Sequence, residues 1–334
     1  MKRFARLATY AVAAFGLLAA AQPAAAADKV RVGVFPVSSA LPYFVALDRG
    51  YFADEDIETE AVRLMGGPAI VGAMFTGDID AAANLVTIEG MNANTRRAGV
   101  LSFISINAQN KEFRMEQFVA RSGLEVASLA ELAAEREEPL KVMSAPGPAN
   151  MVAARAVLSA IGLTEREDYT MTELAMNLHV DAMKAGTFDL GYTLEPTATV
   201  MVNAGAATSV EAGVISSYIL GRDEAKAFAA GGALTGAFME ERPEVAARFA
   251  AAWRKALADI ESDPATRELL KGNTFTPPDV AMTMPMPQFM MVDQLSDEDR
   301  ADFQALIDFA TENGVLDENV DTSEYLVVLD EPAS

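Results

Sequence analysis

No cysteine occurs anywhere in the 334 residues. That absence excludes disulfides, thiolate metal sites, a cysteine nucleophile and a lipid-bearing thiol. Histidine is nearly absent too: His179 stands alone, so neither a Ser-His-Asp constellation nor a persuasive histidine metal centre can be assembled. The sequence also lacks a phosphate loop of the form G-x-x-x-x-G-K-[ST] and an HExxH zinc motif. Positive charge is scarce, 26 Lys and Arg against 48 Asp and Glu, for a formal net charge of −22. So acidic a chain repels phosphate backbones and anionic membranes, which argues against nucleic-acid and lipid partners and reads as a solvated acidic surface.

Long apolar runs are also wanting. Past the first residues none approaches the roughly 20 that a spanning helix needs. The first residues themselves follow the grammar of a secretory signal: basic "MKRFAR", apolar "LATYAVAAFGLLAA", then the small-residue stretch "AQPAAAADKV". We expect cleavage after Ala26 or Ala27, giving residues 1–27 as signal peptide and a mature chain free in the periplasm, not a lipoprotein. Three basic residues leave with the signal, moving the formal charge from −22 to −25. Half of the mature chain is apolar, and a single core stops growing at roughly 250–300 residues, so two lobes are expected.

What is present is a repeated phrase. "AMFTGDIDAA" at 73–82 aligns without a gap to "AMKAGTFDLG" at 182–191. In the first copy Pro68 suits a helix's first turn, and Ile70, Val71, Met74 and Phe75 form an apolar stripe. Gly77 suits a left-handed stop, and "IDAAANLV" reads as a strand. The second copy repeats the pattern with "NLHVDAMKAG", Gly186 and "FDLGYTL". Each copy is half of an α/β crossover unit. The alignment matches Ala83-Asn84-Leu85 to Tyr192-Thr193-Leu194, and ligands of open α/β sheets sit beyond strand carboxyl ends. Facing lobes would therefore bring Asn84 and Tyr192 to opposite walls of one cleft, as in a clamp.

The alternation extends along the chain. "KVRVGVFPV", "LSFISIN", "EQFVARSG" and "LKVMSA" read as strands. "PYFVALDRGYF" reads as a helix stopped at Gly50, and "SLAELAAEREEP" as a helix with a Ser128/Glu131 capping box. "PGPANMVAARAVLSAIGL" is a helix with Val152, Ala156 and Ala160 on one face. Towards the end, Val245, Phe249, Trp253, Leu257 and Ile260 share one helical stripe. A final helix starts at Ser296 and stops at Asn313-Gly314. This is a doubly wound α/β architecture built twice, with a helical C-terminal portion returning over one lobe.

"ALDRGYFADEDIETE", "GGPAIVGAMFTGDIDAAA", "APGPANMVAARAVLSAIGL" and "AMKAGTFDLGYTLEPTATV" together resemble the substrate-binding proteins of ABC importers, in the cluster that handles aliphatic sulfonates, taurine, nitrate and thiamine-precursor pyrimidines. The resemblance covers residues 29–220 well and the C-terminal third loosely. It implies a type II-like two-lobed periplasmic binding protein, with lobe 1 formed by 28–108 and 212–334 and lobe 2 by 109–211. Crossovers would lie near 107–113 and 207–213, and the lobes would close on solute by a hinge. A membrane permease with its ATPase would be the partner; the binding protein would be a monomer without cofactor or metal.

Family position and local chemistry nominate the ligand contacts, each beside a structural alternative. Ser38 and Ser39 can hydrogen-bond a ligand or cap the next helix, with Leu41 and Tyr43 as walls. Gly66 and Gly67 allow close backbone approach and an amide-bound oxyanion, or simply a tight turn. Asn84 and Thr87 are nominated by family position, and Glu89 lies just after them. Gly147 and Asn150 sit at another helix N-terminus suited to an acidic or polar group. Tyr192 can stack on a planar ligand or pack the lobe; Glu195 can accept from a ligand or brace the cleft. His179 reads as a structural residue, and "MTMPMPQFMM" (282–291) as a covering loop rather than a Cu(I) site.

Solute binding for uptake is the leading function. A pyrimidine-synthase-like enzyme of the same fold would need cysteine-rich and histidine chemistry absent here, and a periplasmic sensor subunit is a third reading. For the ligand, sulfonate-type anions and nitrogenous heterocycles are equal candidates. Hydroxyls and backbone amides suit the first, whereas Glu89 and Glu195 tolerate a neutral or cationic solute better than a dianion.

Overall fold

The computed structural model describes residues 26–133 and 138–329; residues 1–25 of the expected signal lie outside them. In chain order, β1 (Asp28–Val34), α1 (Leu41–Asp48), α2 (Tyr51–Asp54), β2 (Ile57–Arg63), α3 (Gly67–Thr76), β3 (Ala81–Val86), α4 (Thr87–Arg96) and β4 (Leu101–Gln109) begin the first lobe. The second holds β5 (Glu116–Arg121), β6 (Leu140–Ser144), α5 (Pro148–Ala160), β7 (Tyr169–Glu173), α6 (His179–Lys184), β8 (Leu190–Leu194), α7 (Thr197–Asn203) and β9 (Ala207–Ala212). The chain then returns through β10 (Ala227–Thr235), α8 (Gly236–Glu241), α9 (Pro243–Ser262), β11 (Gln288–Met291) and α10 (Asp297–Glu312).

The two sheets have one topology. The first is ordered β2-β1-β3-β10-β4-β11 and the second β7-β6-β8-β5-β9. In each, one strand runs antiparallel to both neighbours: β10 between β3 and β4, β5 between β8 and β9. Each of these is the first strand the chain forms after crossing from the other lobe. The repeated phrase maps onto matching places, because β3 and β8 are equivalent strands and the helices before them end alike. Gly77 and Gly186 both adopt the left-handed conformation, with φ of 73° and 68°, which lets the chain reverse tightly into the strand.

Burial explains the composition of the strands. Val30, Val32 and Val34 of β1 line one face of the strand and are all buried, while Lys29 and Arg31 between them are not. Ala81, Ala82 and Ala83 of β3 are small enough for close helix packing, and all are buried. Val245, Phe249, Trp253 and Leu257 form the buried stripe of α9, with Ile260 half-buried at its margin. An aromatic stack runs from Phe52 to Phe249 (5.0 Å between centroids) and on to Trp253 (5.8 Å). The Trp253 indole N–H donates to Ser105 Oγ at 2.9 Å, satisfying the one polar atom of that ring. At α10 the Ser296 hydroxyl accepts from Asp299 N and the Asp299 carboxylate accepts from Ser296 N, so the helix start read from sequence is present as a capping box.

Three local expectations change. Residues Leu129–Ala133 form a short 3₁₀ turn rather than the start of a long helix; residues 134–137 lie outside the described ones. Glu131 reaches back to the Ala127 amide at 2.9 Å, not to the Ser128 amide. On α5 the buried face is Ala149, Ala153, Ala154, Val157 and Leu158, whereas Val152, Ala156 and Ala160 face a shallow outer groove. Small residues on both sides of that helix blurred its apolar stripe. The methionine segment ends in β11, an edge strand on β4, with Met284, Met286, Met290 and Met291 buried as packing.

Two connectors join the lobes, residues 110–115 outward and 213–226 on return. They touch. A Cβ at Gly213 would lie 2.4 Å from Lys111 N and 2.6 Å from Asn110 C, so only a hydrogen fits where they meet. The Ser216 hydroxyl donates to Gln109 O at 3.2 Å, and Lys111 pairs with Asp223 at 2.8 Å.

Gly77 has no atom within 4 Å of a would-be Cβ, so substitution there carries only backbone strain. Gly77→Ala is expected to lower unfolding free energy by about 1 kcal/mol, and Gly77→Asn by less. Urea denaturation at fixed pH measures both; a Gly77→Ala protein as stable as the parent would contradict the left-handed cap.

Candidate ligand-binding cleft

Between the lobes lies a small cavity of about 50 Å³. Lobe 1 contributes Ser38, Ser39 and Asn84 to its lining, and lobe 2 contributes Asn150, Tyr192 and Glu195. The structure thus brings these six nominated residues together, with Asn84 and Tyr192 on walls from different lobes. Apolar side chains dominate the rest: Phe35, Val86, Ile88 and Ala153, with Leu306 and Phe309 from α10. No lysine or arginine lines it among the described residues.

The lobes meet through direct bonds. Glu195 O, in lobe 2, accepts from Ser38 N at 3.4 Å and from Ser38 Oγ at 3.3 Å. Asn84 is fully engaged as a brace: its Oδ1 accepts from Phe35 N at 3.0 Å, and its Nδ2 donates to Phe35 O at 2.8 Å and Ser39 Oγ at 2.9 Å. The Glu195 carboxylate is likewise held within its lobe, accepting from Gln117 Nε2 at 2.6 Å and from Thr199 N, in the first turn of α7, at 3.1 Å. Burial raises its pKa, opposed first by Thr199 and then by Gln117. Tyr192 packs its ring on Phe118 at 5.2 Å, and burial, with Glu116 nearby, pushes its phenol pKa upward, so it remains a neutral hydroxyl. Asn150 Nδ2 donates to Pro146 O at 2.7 Å.

The other nominees lie elsewhere. Tyr43 is buried in lobe 1 against Phe44 and Phe52, its hydroxyl 3.2 Å from Thr59 Oγ1. Leu41, also buried, belongs to a separate groove with Met286 and Phe289. Both follow the cleft loop closely in sequence, but α1 has already turned inward. The Thr87 hydroxyl donates to Phe228 O at 2.6 Å and ties α4 to β10.

Gly67 and Gly147 do meet across the lobes, around a carboxylate of the protein itself, with Gly66 beside them against Pro146. A Cβ at Gly67 would sit 3.3 Å from Glu89 Cδ, and one at Gly147 2.8 Å from Glu89 Oε1. Ala149 N, in the first turn of α5, donates to Glu89 Oε1 at 3.4 Å. The acidic group suited to these helix ends is thus Glu89, reaching from lobe 1 to lobe 2. His179 is structural: Nε2 is 3.0 Å from Leu174 O and Nδ1 3.0 Å from Thr193 Oγ1. The carbonyl can only accept, so Nε2 carries the proton and Nδ1 accepts from the threonine, a neutral ring in keeping with the downward pull of burial on its pKa.

Sequence reasoning passed over two cavity residues. Glu116, at the start of β5, is 1% exposed, and neither carboxylate oxygen has a hydrogen-bond partner among the described residues. Burial pushes its pKa to about 8, with its own amide and that of Ile215 pulling weakly the other way. The side-chain oxygen of Gln109, at the end of β4, is also buried and unpartnered. The available signal was the Glu-Gln pair opening the strand "EQFVA" ahead of its apolar residues.

The NMT1-like family model matches residues 23–271. The chain belongs to the NMT1-like family. No curated protein matches it. Among solved structures it is similar to the alkanesulfonate-binding protein SsuA from Xanthomonas axonopodis pv. citri bound to MOPS, at 18% identity and a TM-score of 0.69 over 90% of this chain and 98% of that one. It is also similar to the periplasmic nitrate-binding protein NrtA from Synechocystis PCC 6803, at 15% identity and a TM-score of 0.65 over 89% of this chain and 84% of that one. A third is a cysteine-to-serine mutant of DSZB in complex with biphenyl-2-sulfinic acid, at 15% identity and a TM-score of 0.60 over 89% of this chain and 96% of that one. These likenesses establish the two-lobed periplasmic-binding-protein fold for this NMT1-like chain and agree with the cluster that its motifs resemble.

Burial raises the Glu89 pKa to about 7. The folded protein then holds a proton that the unfolded chain releases in the ordinary carboxylate range. The resulting stability is complete below that range and is lost as pH rises through 7. Relative to Glu89→Gln, the unfolding free energy of the wild type is expected to fall by up to roughly 3 kcal/mol between pH 5 and pH 8. Denaturation series on both proteins give the difference; a flat profile would show that Glu89 keeps its water.

Proposed function

We propose that this protein is the solute-binding component of an ABC uptake system, working in the periplasm after removal of its signal segment as a monomer without cofactor. It captures a small organic solute between its lobes and presents it to a membrane permease with its ATPase. The observation that carries the reading is the cavity between the two sheets, lined from both lobes and bridged by Ser38 and Glu195. A site assembled from two bodies forms only when they approach, so solute and closure stabilise each other. The two connectors, 110–115 and 213–226, serve as the hinge; the stretches 107–109 and 207–212, expected within the crossovers, belong instead to β4 and β9.

Similarity to sulfonate- and nitrate-binding proteins supports transport. The ligand class is a sulfonate- or taurine-like anion or a nitrogenous heterocycle such as a thiamine-precursor pyrimidine. Ser38, Ser39, Asn150 and Tyr192 are the polar contacts assigned to it, with Asn84 and Glu195 holding the walls in shape. An enzymatic role has less support: the DSZB structure is that of a cysteine-to-serine mutant, and this chain has no cysteine. The only histidine is committed to two structural bonds. A sensor role would use the same closure with a different membrane partner.

The mature chain is expected to gain melting temperature with a bound solute by mass action, and its radius of gyration in solution scattering should fall on saturation. A panel of taurine, alkanesulfonates, nitrate and aminopyrimidines is the first screen. A solute that binds tightly without changing compactness would overturn the hinge-closure reading.

A further inference from the structure

Among the described residues, every buried side-chain atom left unpartnered in this cavity is an acceptor: both oxygens of Glu116 and the side-chain oxygen of Gln109. Adjacent glutamates receive donors from the fold. Glu195 receives Gln117 and Thr199, and Glu89 receives Ala149 on one oxygen, its Oε2 remaining unpartnered outside the cavity. Glu116 receives neither, although a buried unbonded carboxylate costs several kcal/mol.

From this arrangement we infer that Glu116 is the specificity-determining residue of the cleft and selects a small nitrogen base presenting N–H donors, an amidinium, ammonium or amino-heterocycle, over sulfonates and nitrate. The inference rests on the solute-binding reading and narrows it to one class. A ligand N–H directed at Glu116, with a second directed at Gln109, satisfies oxygens to which a sulfonate, carrying no donor, has nothing to offer. The apolar walls, Phe35, Val86, Ile88 and Leu194 among them, take the ligand's carbon frame. Tyr192, a neutral phenol beside Glu116, adds a hydroxyl that can turn either way.

Charge on the surrounding elements agrees. The titratable residues lining the cavity are Glu116, Tyr192 and Glu195, all from lobe 2; lobe 1 contributes none. Arg114 is the cation that acts on Glu195, and no cation offsets the burial of Glu116. An anion entering this space would find no lysine or arginine among the described lining residues; a cation would complete an ion pair with the ionised carboxylate out of water. Because burial raises Glu116 to about 8, a fixed cation binding near pH 7 must displace a proton from it.

The test is calorimetry on the mature protein and on Glu116→Gln, with acetamidine, benzamidine and 4-aminopyrimidine as bases. Methanesulfonate, benzenesulfonate and nitrate serve as anions, the sulfonates matched in size to the amidines. At least one base is expected to bind, to lose tenfold or more in affinity to Glu116→Gln, and, for an amidinium, to release protons when titrated in two buffers of different ionisation enthalpy. Glu116→Gln should melt no lower than the parent without ligand, which separates lost recognition from lost folding. Selective binding of an anion, unchanged or tightened by Glu116→Gln, would overturn the ligand class while leaving the solute-binding reading intact. Base binding indifferent to Glu116→Gln would overturn the role of Glu116. No binding by either set would overturn both readings at this cavity.

Discussion

A carboxylate taken out of water has to be neutralised by a proton, bonded by donors, or paired with a cation, and three glutamates face that requirement where the lobes meet. Glu195 takes donors from its own lobe. Glu89 takes one amide from the opposite lobe and has its pKa raised to about 7. Glu116 takes nothing that forms a hydrogen bond. All three lie where the lobes meet, so the electrostatics of the interface and the geometry of the cavity are one problem. Under the proposed hinge motion, opening would return these groups to water and so couple the cleft to pH.

The architecture that imposes this is a pair of similar lobes, the second inserted between β4 and β10 of the first. Each sheet contains a three-strand parallel unit flanked by one antiparallel strand, β10 in one and β5 in the other, which the chain forms first on entering that lobe from the other. The first sheet is completed only after the chain has crossed out and back, whereas the second, β5 to β9, is laid down in one passage. Glu116 and Gln109 sit at the two ends of the first crossing, which places the unbonded acceptors beside the hinge rather than at the cleft mouth. Ser38 and Glu195, by contrast, come from loops after equivalent-side strands and meet face to face.

Much of this was legible in the residues. The Gly77 and Gly186 stops, the paired β3 and β8 strands, the α9 stripe and the Ser296 cap all arise from short-range chemistry that a window of ten residues contains. The two-wall placement of Asn84 and Tyr192 followed from the alignment alone. What escaped was decided by long-range packing. Tyr43 is polar-tipped and close to the cleft loop in sequence, yet α1 buries it against α2 and α9. The loops at Gly67 and Gly147 have the form of an anion site, but occupancy by Glu89 depends on how the lobes dock. Glu116 looked like an ordinary strand-initiating residue because nothing local signals that its neighbours offer it no hydrogen bond.

The contact at Gly213 carries one more implication. With a single hydrogen separating the return connector from Lys111 and Asn110, the pair behaves as a two-ply strap instead of two independent strings. Flexing one ply without the other would drive atoms together or peel them apart, so twisting is resisted and bending about the axis they share is favoured. For the hinge proposed above, that leaves one direction of swing.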